Sequence, residues 1–232
     1  MKKLLSTYFY LFMSLLIATI IGFAFGPNLA QTMVYPSLRP PLILYLHAAV
    51  SVAWVLLLCV QVSLVRGANL RLHRQLGQFG FALGISLPIL GIATEIAMNQ
   101  WHLSQGHSTN PVFFSISLND MLSFSIAFGL AMWWRSRPEY HKRLLLIATC
   151  CLTSAAFARL HFIVPSWWFY FFVDALIVLA MIRDHIVIHS VHRVYSIGLP
   201  SLVAGQILAF FLCFQKPEFW VNLSQFLLGG AK

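Results

Sequence analysis

Apolar residues recur in seven runs, at roughly 8–26, 42–65, 79–98, 112–134, 144–164, 167–183 and 197–215. Each is about long enough to cross the ~30 Å hydrocarbon core of a bilayer as a helix. The pattern predicts an all-α polytopic membrane protein, a bundle of seven transmembrane helices forming a single domain over residues 1–232. The connecting stretches are too short for a soluble domain. Pro40-Pro41 leads into the second run, Pro165-Ser166 turns between the fifth and sixth, and Ser136-Arg137-Pro138-Glu139 reads as a capping box with proline in the first turn. The first run follows two lysines, but it is too long for a secretory h-region and Pro27 would follow the cut, so a retained signal anchor is expected. After the last run, Phe219, Trp220, Leu223, Phe226 and Leu227 recur at helical spacing, which predicts that 216–232 forms an interfacial tail.

Composition agrees with this class: 59% of the 232 residues are hydrophobic and 9% are charged, with a mean hydropathy of +0.80. A net charge of +9 does not point to nucleic acid, because the basic residues sit in short loops where topology explains them. With a cytoplasmic amino terminus, the inner side receives Lys2, Lys3, Arg66, Arg71, Arg74, Arg135, Arg137, Lys142, Arg143, Arg183 and Arg193. Only Arg39, Lys216 and Lys232 remain outside, so the carboxyl terminus is expected outside as well. Cys59, Cys150, Cys151 and Cys213 all fall inside spans and form no C-x-x-C motif, so they are read as small buried side chains.

Six ionisable residues interrupt the spans: His47, Glu95, Asp120, Arg159, His161 and Asp174. The topology places all six towards the outer side, and intramembrane charge marks a functional site by default. On the second span His47, Ser51, Trp54, Leu58 and Gln61 share one stripe. On the third, Gly77, Gly80, Gly84, Pro88, Gly91 and Glu95 form a seam of small residues that would admit a neighbouring helix or a flat ligand. Ser117, Asp120 and Ser123 align on the fourth, and Trp167, Tyr170, Asp174, Val178, Met181 and His185 on the sixth. Counting from the Pro165-Ser166 turn puts Arg159 and Asp174 at similar depth, which predicts a structural ion pair.

Three readings fit the rest. His47 and His161 at matched depth could be axial ligands of haem b, in a membrane redox protein with Glu95 and Asp120 as its catalytic, proton-handling groups. His47, His161 and Asp120 could instead hold a transition metal, including that of a membrane hydrolase acting on a lipid-like substrate. The same residues without any cofactor would make a binding or proton-transfer pocket for a polar or quinone-like molecule, in a non-enzymatic binding or assembly protein. A plain hydrogen-bonded polar core stands beside all three. His102 and His107, in the loop over 99–111, read as solvated.

A second set marks the inner face: His73, Arg74, His141, Arg143, His185, His189 and His192. The last three histidines share a face if the sixth helix continues past the membrane, a plausible metal pair. Contact with anionic lipid headgroups is the simpler expectation for this set. His47 with Gln61, the run His73-Arg74-Gln75-Leu76-Gly77 and the run His141-Lys142-Arg143-Leu144 together resemble a group of uncharacterised bacterial seven-span proteins. That resemblance covers about 42–210 and implies a seven-helix fold in the bacterial cytoplasmic (inner) membrane with no established activity. A looser likeness links the chain to di-haem b-type cytochromes, which hold histidine pairs in two layers across a helix bundle.

Overall fold

The computed structural model describes residues 2–34, 39–160, 163–165 and 167–229, with no side-chain placement for 28–34. The described residues are helical apart from short connections and contain no strand. In chain order the helices are α1 (Lys2–Val34), α2 (Leu42–Arg66), α3 (Leu70–Ser104), α4 (Phe114–Trp133), α5 (Pro138–Cys151), α6 (Ser154–Arg159), α7 (Phe169–Ile188), α8 (Arg193–Gln215) and α9 (Glu218–Leu228). A short 3₁₀ turn, Pro111–Phe113, leads into α4.

Five stretches among the described residues are long and apolar enough to cross a membrane: Lys2–Pro27, Leu42–Arg66, Leu70–Ser104, Pro111–Trp133 and Arg193–Gln215. The surface matches, since large apolar side chains such as Leu42, Phe23 and Trp133 stand exposed rather than buried. The fifth and sixth runs of the sequence pattern take different forms. Helix α7 has 20 residues but carries Asp174, Arg183 and Asp184. The run at 144–164 is divided between α5 and α6.

The division is a tightened turn. Leu152 N–H donates to the Thr149 carbonyl and Thr153 N–H to the Cys150 carbonyl, both one residue short of the α-helical spacing. The Thr153 hydroxyl also caps the Cys150 carbonyl at 2.6 Å. Each 3₁₀ residue turns the chain about 20° further than an α residue, so side chains beyond the turn face away from where a continuous helix would aim them.

Helix α4 is the central element, packed against α3, α5 and α8, while α1 lies across α2, α6 and α7. Met13, Ile17, Leu87, Phe124, Ile177 and Tyr195 are among the fully buried side chains that join these helices. The glycine seam of α3 is closed by packing. Leu57 reaches Gly80, the Phe128 ring lies against Gly84, and Met121 Sδ stands 2.5 Å from where a Cβ on Gly91 would be.

Helix α9 packs onto the 3₁₀ turn and the end of α3. Trp220 and Leu228 are buried, and Trp220 Nε1 donates to the Val112 carbonyl at 3.2 Å. Phe219, Leu223, Phe226 and Leu227 remain exposed. The expected tail stripe is therefore split, with Trp220 anchored to protein and the others on the free face.

Candidate functional site

Of Glu95, Asp120 and Asp174, Asp120 is the most enclosed, at 7% exposure. Its position on α4 faces the α5–α6 turn and the start of α7. Ser154, the first residue of α6, donates through Oγ to Asp120 Oδ2, and Tyr170 Oη donates to Oδ1 at 2.9 Å. Asn119 Nδ2 donates to Tyr170 Oη at 3.0 Å and approaches Asp120 Oδ1 at 3.5 Å. Asn119 can press against α8 because Gly205 has no side chain, a Cβ there lying 2.5 Å from Asn119 Oδ1. The carboxylate thus gathers donors from α4, α6 and α7, and buried Cys151 lies beside it. Such a group, held in a low dielectric by polar partners on three segments, can carry or exchange a proton without solvent contact.

Asp174, on the next turn of α7, accepts from Gln206 Nε2 of α8 at 2.9 Å. The expected Arg159–Asp174 pair does not form. Arg159 Nη1 donates to the Ala155 carbonyl at 2.8 Å and its guanidinium lies 4.5 Å from the Phe25 ring centroid. The turn at Leu152-Thr153 is the reason, because it swings Arg159 from the α7 side towards α1.

His47 is half-buried, and its Nδ1 has no hydrogen-bond partner among the described residues. Its ring comes within 3.7 Å of the Cβ position on Gly91, beside Met121, the chain neighbour of Asp120. Arg159 lies within electrostatic reach of both His47 and Glu95. Two adjoining polar centres result, a hydrogen-bonded one at Asp120 and an unsatisfied one at His47. His161 lies outside the described residues.

A transition-metal or hydrolase site needs several ligands to converge, and among the described residues no three His, Cys, Asp or Glu side chains do so. Asp120 is already occupied by Ser154 and Tyr170 rather than turned towards His47. For haem, the seam expected to leave room for a macrocycle is filled by Leu57, Phe128 and Met121. His161, a ligand in both readings, lies outside the described residues, so these contacts bear on His47 and Asp120 alone.

The inner set separates. Arg143 is fully buried rather than on the surface, its Nε and Nη2 donating to Asp184 Oδ2 and Oδ1 at 2.8 and 2.9 Å. Arg74 is exposed. His73 is half-buried with Nδ1 lacking a partner among the described residues, close to His141, whose Nδ1 donates to the Ala131 carbonyl at 2.9 Å. The stripe of His185, His189 and His192 is broken, because α7 stops at Ile188 and His189 turns left-handed at φ 59°. His189 Nε2 then accepts a hydrogen bond from Lys2 Nζ at 2.8 Å, and His192 becomes the N-cap of α8 by accepting from Val194 N–H at 3.2 Å.

Sequence reasoning missed Ser154 and Asn119 as partners of Asp120, and missed Asp184 altogether. Tyr170 stood on the Asp174 stripe and could have been paired with a carboxylate. Asp184 had a visible signal in the adjacent charges Arg183-Asp184 ending an apolar run. These features define a helical membrane protein with a polar centre inside its bundle. No protein-family model, curated protein or solved structure matches the chain.

Proposed function

We propose that the chain is a seven-span protein of the bacterial cytoplasmic membrane, amino terminus inside, that handles protons at Asp120 for a polar or quinone-like molecule bound in the outer half of the bundle. Helix α7 and the α5–α6 pair supply the two spans beyond the five apolar ones. The observation that carries the reading is the burial of Asp120 among Ser154, Tyr170 and Asn119 at a helix interruption. Non-helical backbone at membrane depth is tolerated where it is enclosed by protein or lines a cavity, and here it supplies the donor of Ser154. His47, with Glu95 and Arg159 nearby, offers the unsatisfied polar surface that would recognise the molecule. Asp120 with Tyr170 would give and take the proton.

The test is an infrared titration of the purified full-length protein between about pH 5 and pH 9, a range wide enough to cover carboxyl groups perturbed by burial. A carboxylic-acid carbonyl band that exchanges with a carboxylate band in the wild type, and is missing in Asp120→Asn, is expected. A wild-type spectrum with no Asp120-dependent exchange across that range would sink the reading. Tyr170→Phe should keep the exchange but move its midpoint, because one of the donors to Asp120 is gone.

A further inference from the structure

At the end of the bundle that carries the amino terminus, α1, α5, α7 and α8 enclose a group of charges that the Asp120 site does not use. Arg143 is fully buried and Arg183 is 6% exposed, while the one fully buried carboxylate between them is Asp184. Arg183 Nη1 donates to Asp184 Oδ1 at 2.9 Å, the oxygen that also takes Arg143 Nη2. Arg143 Nη1 turns instead to Glu139, reaching its carbonyl at 2.8 Å and its Oε2 at 2.5 Å. Glu139 is shared with Lys142 at 2.6 Å, and its side chain is 60% exposed. Although partial burial opposes it, hydrogen bonds from Lys142 and Arg143 hold the Glu139 carboxyl down at about 2, so it stays charged. Three cations therefore share two carboxylates, and the deeper part of the cluster keeps a positive surplus.

The surplus coincides with unused donors. Arg183 Nε is buried with no hydrogen-bond partner among the described residues, and the buried Tyr10 and Tyr195 hydroxyls, which face one another, meet no other partner there. Tyr195 is fully buried. Arg183 lies over the Tyr10 ring at 5.5 Å, Arg143 over the Tyr195 ring at 6.0 Å, and the two tyrosines are neighbours. Leaving buried donors unsatisfied is destabilising, so their gathering beside an unneutralised guanidinium is an arrangement the chain alone does not explain. A water could accept these bonds but would leave the charge. An oxyanion answers both, because it accepts from guanidinium and phenol alike and neutralises the surplus. Tyr10 and Lys142 are the less buried members of the group.

We propose that Arg143, Arg183, Tyr10 and Tyr195 form a binding site for a phosphate-class oxyanion at this end of the bundle. The phosphate belongs either to an anionic lipid headgroup or to a free phosphate. Arg183 and the two phenols are the ligand contacts, and Arg143 is the fixed charge behind them, held by Asp184.

The experiment is thermal unfolding of the full-length protein in nanodiscs. One arm uses zwitterionic lipid and a titration of inorganic phosphate against chloride of equal ionic strength. The other replaces part of the lipid with phosphatidylglycerol. Protection by phosphate in the first arm identifies the free ion, and protection only in the second identifies the headgroup. Tyr195→Phe decides whether the site is responsible. Among the described residues its hydroxyl faces only the Tyr10 hydroxyl, so the variant should lose little stability without the oxyanion, yet bind it about tenfold more weakly. Arg183→Gln should lose the protection as well. Absence of protection in both arms, or protection undiminished in Tyr195→Phe, overturns the proposal.

Discussion

His192 shows how one side chain ties local structure to pH. Its Nδ1 accepts from Val194 N–H, which only an unprotonated nitrogen can do. Burial lowers its proton affinity below the ordinary histidine value, and Arg143 and Lys142 add to this while Asp184 and Glu139 oppose it. The unfolded chain, with an ordinary histidine near about 6.5, therefore takes the proton first as pH falls. Stability from this residue is fully present above that value and is lost as pH drops through it towards the folded-state value. Unfolding midpoints measured at about pH 7.5 and about pH 5.5 should fall further in wild type than in His192→Asn, which keeps a capping side chain without a titrating one. Equal slopes in the two proteins would show that another histidine carries the dependence. Residue identity was sufficient to mark His192 as an inner-face imidazole, but its cap depends on where α7 ends. The same limit applies to Arg159, whose charge in a span was evident and whose partner was misassigned because the turn before it was not.

At the scale of elements, the glycines of α3 and α4 look alike in sequence and differ in the fold. Gly84 lies against the ring of Phe128, itself 5% exposed and stacked on Phe124, whereas a Cβ on Gly129 meets nothing within 4 Å. Gly84→Ala should cost about 1–3 kcal/mol by overpacking, and Gly84→Ala with Phe128→Leu should recover part of that loss. Gly129→Ala should be neutral or stabilise by up to about 1 kcal/mol, the helix-propensity difference between the two residues. Chemical unfolding in detergent reads both, and a Gly84→Ala protein as stable as Gly129→Ala would contradict the packing. The seam was legible as small-residue spacing on one helix face. Its occupants, Leu57, Phe128 and Met121, come from two other helices and were invisible to a pattern that describes α3 alone. The α5–α6 interruption was equally hidden, since Leu152 and Thr153 continue the apolar run without a glycine or proline to mark a break.

For the whole molecule, the proposed seven spans would put the two ends of the chain on opposite sides. In inverted and right-side-out vesicles, single cysteines at Lys3 and at Gln105, in a background lacking the native four, should label from opposite faces, and one at Lys232 should share the side of Gln105. Labelling of Lys3 and Lys232 from one face would mean an even number of crossings. The sequence by itself determined the solvent and the material of this protein. Hydrocarbon leaves backbone polar groups no partner outside the chain, so long apolar runs must be helices, and the distribution of Lys and Arg sets an expectation for their direction. It also picked out Asp120 and His47, because ionisable groups are conspicuous in apolar runs. Only the tertiary structure decided what those groups meet: Ser154 and Tyr170 for Asp120, Asp184 for Arg143, Gln206 for Asp174. The physical reason is that hydropathy is a property of single positions along one helix. Pairing depends on rotation and depth between helices, and a short 3₁₀ turn of ordinary apolar residues is enough to change both.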